Sequence, residues 1–241
     1  MAITLGVILA RGGSKGVPAK NLQPLLGKPL VEYTIDAAVA ADRIDRLVLS
    51  TEDTRIARIA EARGVEVVMR PKEYATDDAP IDLALRHAVR VVEGGGDEVD
   101  IVVGLYGNVP VRKEGTIDAV VEKMASSGAD SVETYTPYTV PPQRGLRLDG
   151  DKPIPLAGVY VPSYRRQQLI PAYHANGAAF ALKRDVLMET ENVPGETNAY
   201  FGTDRRVIVQ KPQDAVDVDE PIDLLWAEFL IEKFQRKAHR G

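Results

Sequence analysis

Ten residues near the start of the chain, Arg11-Gly12-Gly13-Ser14-Lys15-Gly16-Val17-Pro18-Ala19-Lys20, set three glycines among three cations, and Asn21 follows. Glycines let backbone N–H groups come close to an anion and the cations neutralise it, so the stretch reads as a cradle for a di- or triphosphate. Its spacing fits neither G-x-x-x-x-G-K-[ST] nor G-x-G-x-x-G. A solvated surface loop of the same composition is the competing reading. The second group is Asp217-Val218-Asp219, ahead of Glu220-Pro221. In an extended segment residues i and i+2 face one side, so both carboxylates can meet a single Mg²⁺, a hard ion held by one or two carboxylates plus phosphate oxygens. Asp219 equally suits the N-cap of a following helix, and the two roles can coexist. Together the groups point to metal-nucleotide chemistry, in which neutralising phosphate charge does most of the catalytic work.

Such a loop needs a buried strand to carry it, and Ile3 to Ala10 is a continuous apolar run that empties into Arg11. Ligands of open α/β sheets sit at the carboxyl ends of strands, which strengthens the phosphate reading. Leu30 to Ala41 follows as an amphipathic helix behind Pro29, then a strand at Arg46 to Ser50. Asp53 is placed to cap a helix that closes at Gly64. The alternation continues through a strand at Val65 to Met69, a helix at Ile81 to Val92, a strand at Val99 to Leu105 and a helix ending at Gly128. Beyond the middle of the chain come a strand at Gly177 to Leu182, a helix from Arg184, a strand at Arg206 to Gln210, and a last helix with Ile222, Leu225, Trp226, Phe229 and Leu230. Alternating strands and helices predict a mostly parallel sheet covered on both faces.

Between Tyr135 and Tyr173 the period is lost, and seven of the sixteen prolines fall there. Proline removes ladder donors, so this segment is expected as irregular strands and arms inserted into a single domain spanning 1–241, rather than as central sheet. Its tyrosines, Tyr138, Tyr160, Tyr164 and Tyr173, suit either a dimer contact or packing on their own domain. A length of 241 residues fits one main domain with such an insertion. The net charge of −5 argues against nucleic acid or an anionic membrane surface as a partner. Without cysteine there is no disulfide, thiolate metal site or cysteine nucleophile. No apolar run approaches a membrane span of about 20 residues and the start is not signal-like, which predicts a cytoplasmic protein.

The run Ala10 to Asn21 closely resembles the opening of the acylneuraminate cytidylyltransferases, or CMP-sialic acid synthetases. The likeness continues through Leu49-Ser50-Thr51-Glu52-Asp53, Arg70-Pro71 with Ala75-Thr76-Asp77, Asn176-Gly177-Ala178, and Asp217-Val218-Asp219 ahead of Asp223-Leu224. The resemblance implies a Rossmann-like nucleotidyltransferase, a three-layer α/β sandwich. It would join the anomeric hydroxyl of an acidic nonulosonic sugar to the α-phosphate of CTP and release pyrophosphate. It implies Arg11 and Lys20 on the triphosphate, amides of Gly12, Gly13 and Ser14 lining it, Asn21 at the ribose and Arg70 at the cytosine. Asp217 and Asp219 would bind Mg²⁺, completing a catalytic set with Arg11 and Lys20. It also implies a homodimer through the arm at about 135–175, in which Arg166 of Arg166-Gln167-Gln168-Leu169 helps hold the sugar carboxylate, with Gln168 and Asn176 nearby.

Two positions depart from the family on the sugar side. Where relatives carry Leu-Gln-Pro-Thr-Ser-Pro-Leu-Arg, this chain has Leu105-Tyr106-Gly107-Asn108-Val109-Pro110-Val111-Arg112, and His174 replaces an arginine. Tyr106 and His174 are therefore candidate sugar contacts, each with packing as its alternative, and they leave N-acetylneuraminic acid itself open as the substrate. Two other functions compete: a nucleotidyltransferase for another base or sugar, such as the Kdo cytidylyltransferases, and a non-catalytic nucleotide-binding protein. Ser14-Lys15-Gly16 and Lys20-Asn21 follow the acylneuraminate loop rather than the Kdo one, and the intact set Arg11, Lys20, Asp217 and Asp219 favours turnover.

Overall fold

A computed structural model describes residues 2–156, 165, 168–191 and 198–238. Its centre is a seven-stranded sheet of β1 (Ile3–Leu9), β2 (Arg46–Thr51), β3 (Glu66–Met69), β4 (Val99–Tyr106), β5 (Ser131–Pro137), β6 (Tyr173–Lys183) and β7 (Arg205–Val209), in the spatial order β7-β5-β6-β4-β1-β2-β3. β6 alone runs antiparallel to its neighbours β4 and β5. Helices α1 (Leu30–Val39), α2 (Thr54–Ala62) and α4 (Thr116–Ser127) bury Ile35, Ile56 and Val120 against one face. α3 (Ile81–Gly94) and α5 (Arg184–Glu189) bury Leu85 and Leu187 against the other. With both faces covered, β1 can be apolar without alternation, and Leu5, Val7, Ile8 and Leu9 are all buried. The three-layer sandwich expected from the alternating pattern is the fold observed.

The last helix, α6 (Pro221–Ala238), packs Ala227 and Leu230 onto Leu25, Leu30 and Val218, a smaller core that sets the Asp217–Asp219 segment beside the glycine loop. No described helix is long and apolar enough to cross a membrane.

The proline-rich segment is only partly an arm. Tyr173, His174 and Ala175 pair antiparallel with Pro137, Thr136 and Tyr135, so both ends of the segment extend the central sheet, contrary to the reading of the whole stretch as lying outside it. Proline stands at the end of β5, where its missing donor is tolerated. Beyond lies an exposed two-stranded hairpin of Leu146–Asp149 and Lys152–Pro155. Tyr160, Tyr164 and Arg166 lie outside the described residues.

Candidate active site

β1, β2, β3 and β4 all point their carboxyl ends at one cleft, and the sheet order reverses between β1 and β4, where α/β sheets bind ligands. The glycine loop leaves β1. Its Val17 is buried as an anchor, and Ala19 turns through a left-handed φ of 48° into a short 3₁₀ turn at Lys20–Leu22 that presents Lys20 and Asn21. Two glycines are demanded by close approaches. A Cβ on Gly12 would stand 2.4 Å from the Asp53 carboxylate, and one on Gly16 would stand 2.3 Å from the carbonyl oxygen of Asp219. The second contact seats the loop directly on the carboxylate segment, 203 residues further along the chain by the difference between 16 and 219.

Lys20 Nζ donates to Asp219 Oδ1 at 2.7 Å, so the two groups read separately from sequence form one site. Arg11 donates to the Thr76 carbonyl at 2.9 Å and pairs with Asp77 at 2.9 Å, and Lys15 pairs with Asp77 at 3.1 Å. Those cations hold the Asp77 carboxyl below the usual carboxylate range, hydrogen bonding from Lys15 being the largest cause. Gly12 donates its amide to Glu52 Oε1 at 2.7 Å, while Glu52 Oε2 stands 3.3 Å from the buried Arg70 guanidinium. Glu52 thus ties the loop to Arg70, whose pKa is lowered chiefly by burial. Asn21 donates to the Arg11 carbonyl at 2.8 Å, and its Oδ1, buried against Gly107, has no partner among the described residues. Gly13 lines the cleft, and Ser14 is half-buried in the loop.

The carboxylate segment is held from β4. Asn108 donates to Asp217 Oδ1 at 2.5 Å and to the Val218 carbonyl at 3.0 Å, and its own carbonyl accepts from Val218 N at 3.0 Å. Asp217 is crowded by protein yet keeps one side open to the cleft; desolvation first, then the charge of Asp219, raise its pKa to about 6. The Asp219 carboxylate engages Lys20, while the amides of Asp219 and Glu220 are held by Asp223 at 2.9 and 2.8 Å. The helix-entry role suggested for Asp219 is therefore carried by Asp223. An under-neutralised carboxylate pair beside a phosphate cradle fits a divalent cation. Among the described residues no third acidic or histidine ligand joins the pair, so phosphate oxygens and water would complete the shell, which suits Mg²⁺.

Tyr106 sits at the end of β4 with its ring centroid 5.8 Å from that of Phe180, and burial, then Asp217 and Glu133, raise its pKa. Asn176 donates to Gln210 at 2.9 Å and accepts from Ala178 N at 3.1 Å, closing the bend at Gly177, whose φ is 72°. His174 is exposed and its ring lies 4.7 Å from that of Tyr138. Gln168 is exposed and donates its amide to the Arg165 carbonyl at 3.0 Å. The cleft therefore brings together Arg11, Gly13, Lys20, Asn21, Arg70, Tyr106, Asp217 and Asp219, whereas His174, Asn176 and Gln168 are not among its lining residues. Sequence reading assigned no role to Glu52, Asp77 or Asn108, which fix the loop, its cations and the carboxylates; Glu52 and Asn108 stand just past a strand and Asp77 beyond the short turn that follows β3, positions that only the sheet order makes significant.

Residues 5–149 match the family model described as cytidylyltransferase. The chain is 27% identical over 227 residues to the pseudaminic acid cytidylyltransferase of Campylobacter jejuni subsp. jejuni serotype O:23/36, covering 94% of this chain and 95% of that one. It is 31% identical over 223 residues to the N-acylneuraminate cytidylyltransferase of Streptococcus agalactiae serotype V, covering 91% of this chain but 51% of that one, so it spans about half the length of that relative. Among solved structures, CMP:2-keto-3-deoxy-manno-octonic acid synthetase complexed with CTP aligns with a TM-score of 0.74 at 19% identity, over 96% of this chain and 99% of that one, a likeness of fold.

Proposed function

This chain belongs to the cytidylyltransferase family, and from that premise we propose that it couples CTP to the anomeric hydroxyl of an acidic nonulosonic sugar, giving a CMP-sugar and pyrophosphate. The observation that carries the reading is the meeting of Lys20 with Asp219 across the mouth of the cleft at 2.7 Å, which unites a phosphate cradle with a carboxylate pair. The sugar oxygen attacks the α-phosphorus, a new O–P bond forms, the bond to the bridging oxygen breaks, pyrophosphate leaves and the hydroxyl proton passes to solvent. Arg11 and Lys20 offset the triphosphate charge and hold it in line, and the amides of Gly13 and Ser14 line it, while Gly12, its amide held by Glu52, lets the backbone approach. Asn21, which lines the cleft, contacts the ribose, and Arg70, fixed by Glu52, faces the base. Asp217 and Asp219 would hold Mg²⁺, which when bound polarises the α-phosphate. Tyr106 borders the sugar, and Arg166, Gln168, His174 and Asn176 belong to its surroundings on the arm side. Use of CTP assigns the reaction to the cytoplasm, where nucleoside triphosphates are made.

Pyrophosphate release from CTP with a panel of acidic nonulosonic sugars tests the reading; tight CTP binding with no turnover across the panel would overturn it. Asp219→Ala is expected to abolish metal-dependent turnover while the thermal melt stays cooperative.

The arm supports a homodimer. Its described part exposes Leu148, Leu156 and Ile170, and an apolar hollow formed by Pro137, Tyr138, Pro141 and Ile170 lies at its base. Sedimentation velocity should give twice the monomer mass, and Ile170→Asp should shift the protein toward monomer.

A further inference from the structure

The last helix is apolar on two sides. Ala227 and Leu230 face the small core beside the glycine loop, while Ile222, Leu225, Trp226 and Phe229 are 45% to 66% exposed. Their spacing of i, i+3, i+4 and i+7 sets these four in one stripe, on the side of α6 away from that core. Trp226 and Phe229 stack with ring centroids 5.5 Å apart and planes 15° from parallel. Lys233 Nζ stands 5.5 Å from the centre of the Phe229 ring and carries the stripe one turn further. A run of large apolar side chains with aromatic residues at its centre has the composition of an interface core, not of a solvated helix face.

The charges along α6 select what covers the stripe. Asp214, Asp217, Asp219 and Glu220 precede the helix, and Lys233, Arg236, Lys237 and Arg240 follow in sequence. An anionic membrane would attract the basic end and repel the acidic one, on a protein whose net charge is −5. A second α6 laid antiparallel satisfies both ends and opposes the two helix dipoles. With a two-fold axis between Leu225 and Trp226, Ile222 meets Phe229 of the second copy, Leu225 meets its Trp226, and Lys233 comes within a turn of its exposed Glu220. A parallel pair would instead set Lys233 against Lys233 and Glu220 against Glu220. Four half-exposed side chains cover on the order of 400 Å² per copy, against roughly 800 Å² per partner in a stable interface, so the contact grows with concentration and is additional to the arm. We propose that α6 is a self-association surface, packing antiparallel on α6 of a second copy and joining dimers formed through the arm into larger assemblies.

Sedimentation velocity of the full chain at increasing concentration should show the wild type growing beyond the arm dimer. Trp226→Glu, at an exposed position where the thermal melt should hold, should abolish that growth while the dimer persists. Lys233→Glu and Glu220→Lys should each weaken the association several-fold, and the two together should restore it, a rescue that only the antiparallel register allows. Because the chain has no cysteine, oxidation reads the register directly. Ile222→Cys combined with Phe229→Cys should give disulfide-linked chains on a non-reducing gel, whereas Ile222→Cys alone should not. Linkage by Ile222→Cys alone marks a parallel pair, and constant mass at every concentration removes the association; either result overturns the proposal and leaves the arm dimer and the cytidylyltransferase reading standing. Co-flotation with phosphatidylglycerol vesicles that Trp226→Glu abolishes, with no growth in mass, gives the stripe to a membrane and overturns the proposal likewise.

Discussion

Asp217 shows how the site stores an unmet demand for positive charge. Its folded pKa of about 6 lies above the ordinary 3.8, so the folded state binds this proton more tightly than the unfolded chain does. Stability from this group is therefore present below pH 4, falls as pH rises from about 4 to about 6, and stays reduced above that. Asp217→Asn should stabilise the metal-free protein above pH 6, by about 1 kcal/mol once the solvent on the open side is allowed for, and should match the wild type below pH 4. Urea melts in chelator across that range check it; no pH dependence of the difference would remove Asp217 from the strained pair. The same substitution should abolish turnover, separating stability from function at one atom.

At the scale of elements, the cradle works because a loop, a strand end and a helix entry are locked together. Gly16→Ala places a methyl where the Asp219 carbonyl stands, and backbone cannot step aside as a flexible side chain would. The loop should lift from the carboxylate segment, lowering kcat/KM for CTP roughly 10- to 100-fold. Because the loop is a surface element the melting temperature should hardly change; kinetics beside a thermal melt decides it. Much of this assembly was legible in the sequence. The helices carried their period, β1 its apolar run, and the two polar groups their spacing. β5 was not legible, because Ser131, Glu133, Thr134 and Thr136 are buried polar residues, Thr134 bonded to the Ala179 carbonyl of β6 and Glu133 to Arg205 of β7, so no apolar alternation marks the strand. Glu133 and Arg205 escaped for the same reason: 72 residues separate them, and only the parallel register of β5 and β7 sets them together.

For the whole molecule, the mostly parallel sheet gathers one site from residues near both ends of the chain. The protein as a whole carries a net charge of −5, yet it must admit a polyanion. The three cations of the cradle already face carboxylates of the same chain, Arg11 and Lys15 with Asp77 and Lys20 with Asp219. The protein therefore carries its own competitor for nucleotide. A triphosphate enters by exchange for internal anions instead of by release of mobile salt ions, so affinity for CTP should depend only weakly on ionic strength. Asp77→Asn should bind CTP more tightly at low salt and lose that advantage as salt rises, a crossover readable by calorimetry at two ionic strengths. Equal salt dependence in the two proteins would show that Asp77 does not compete.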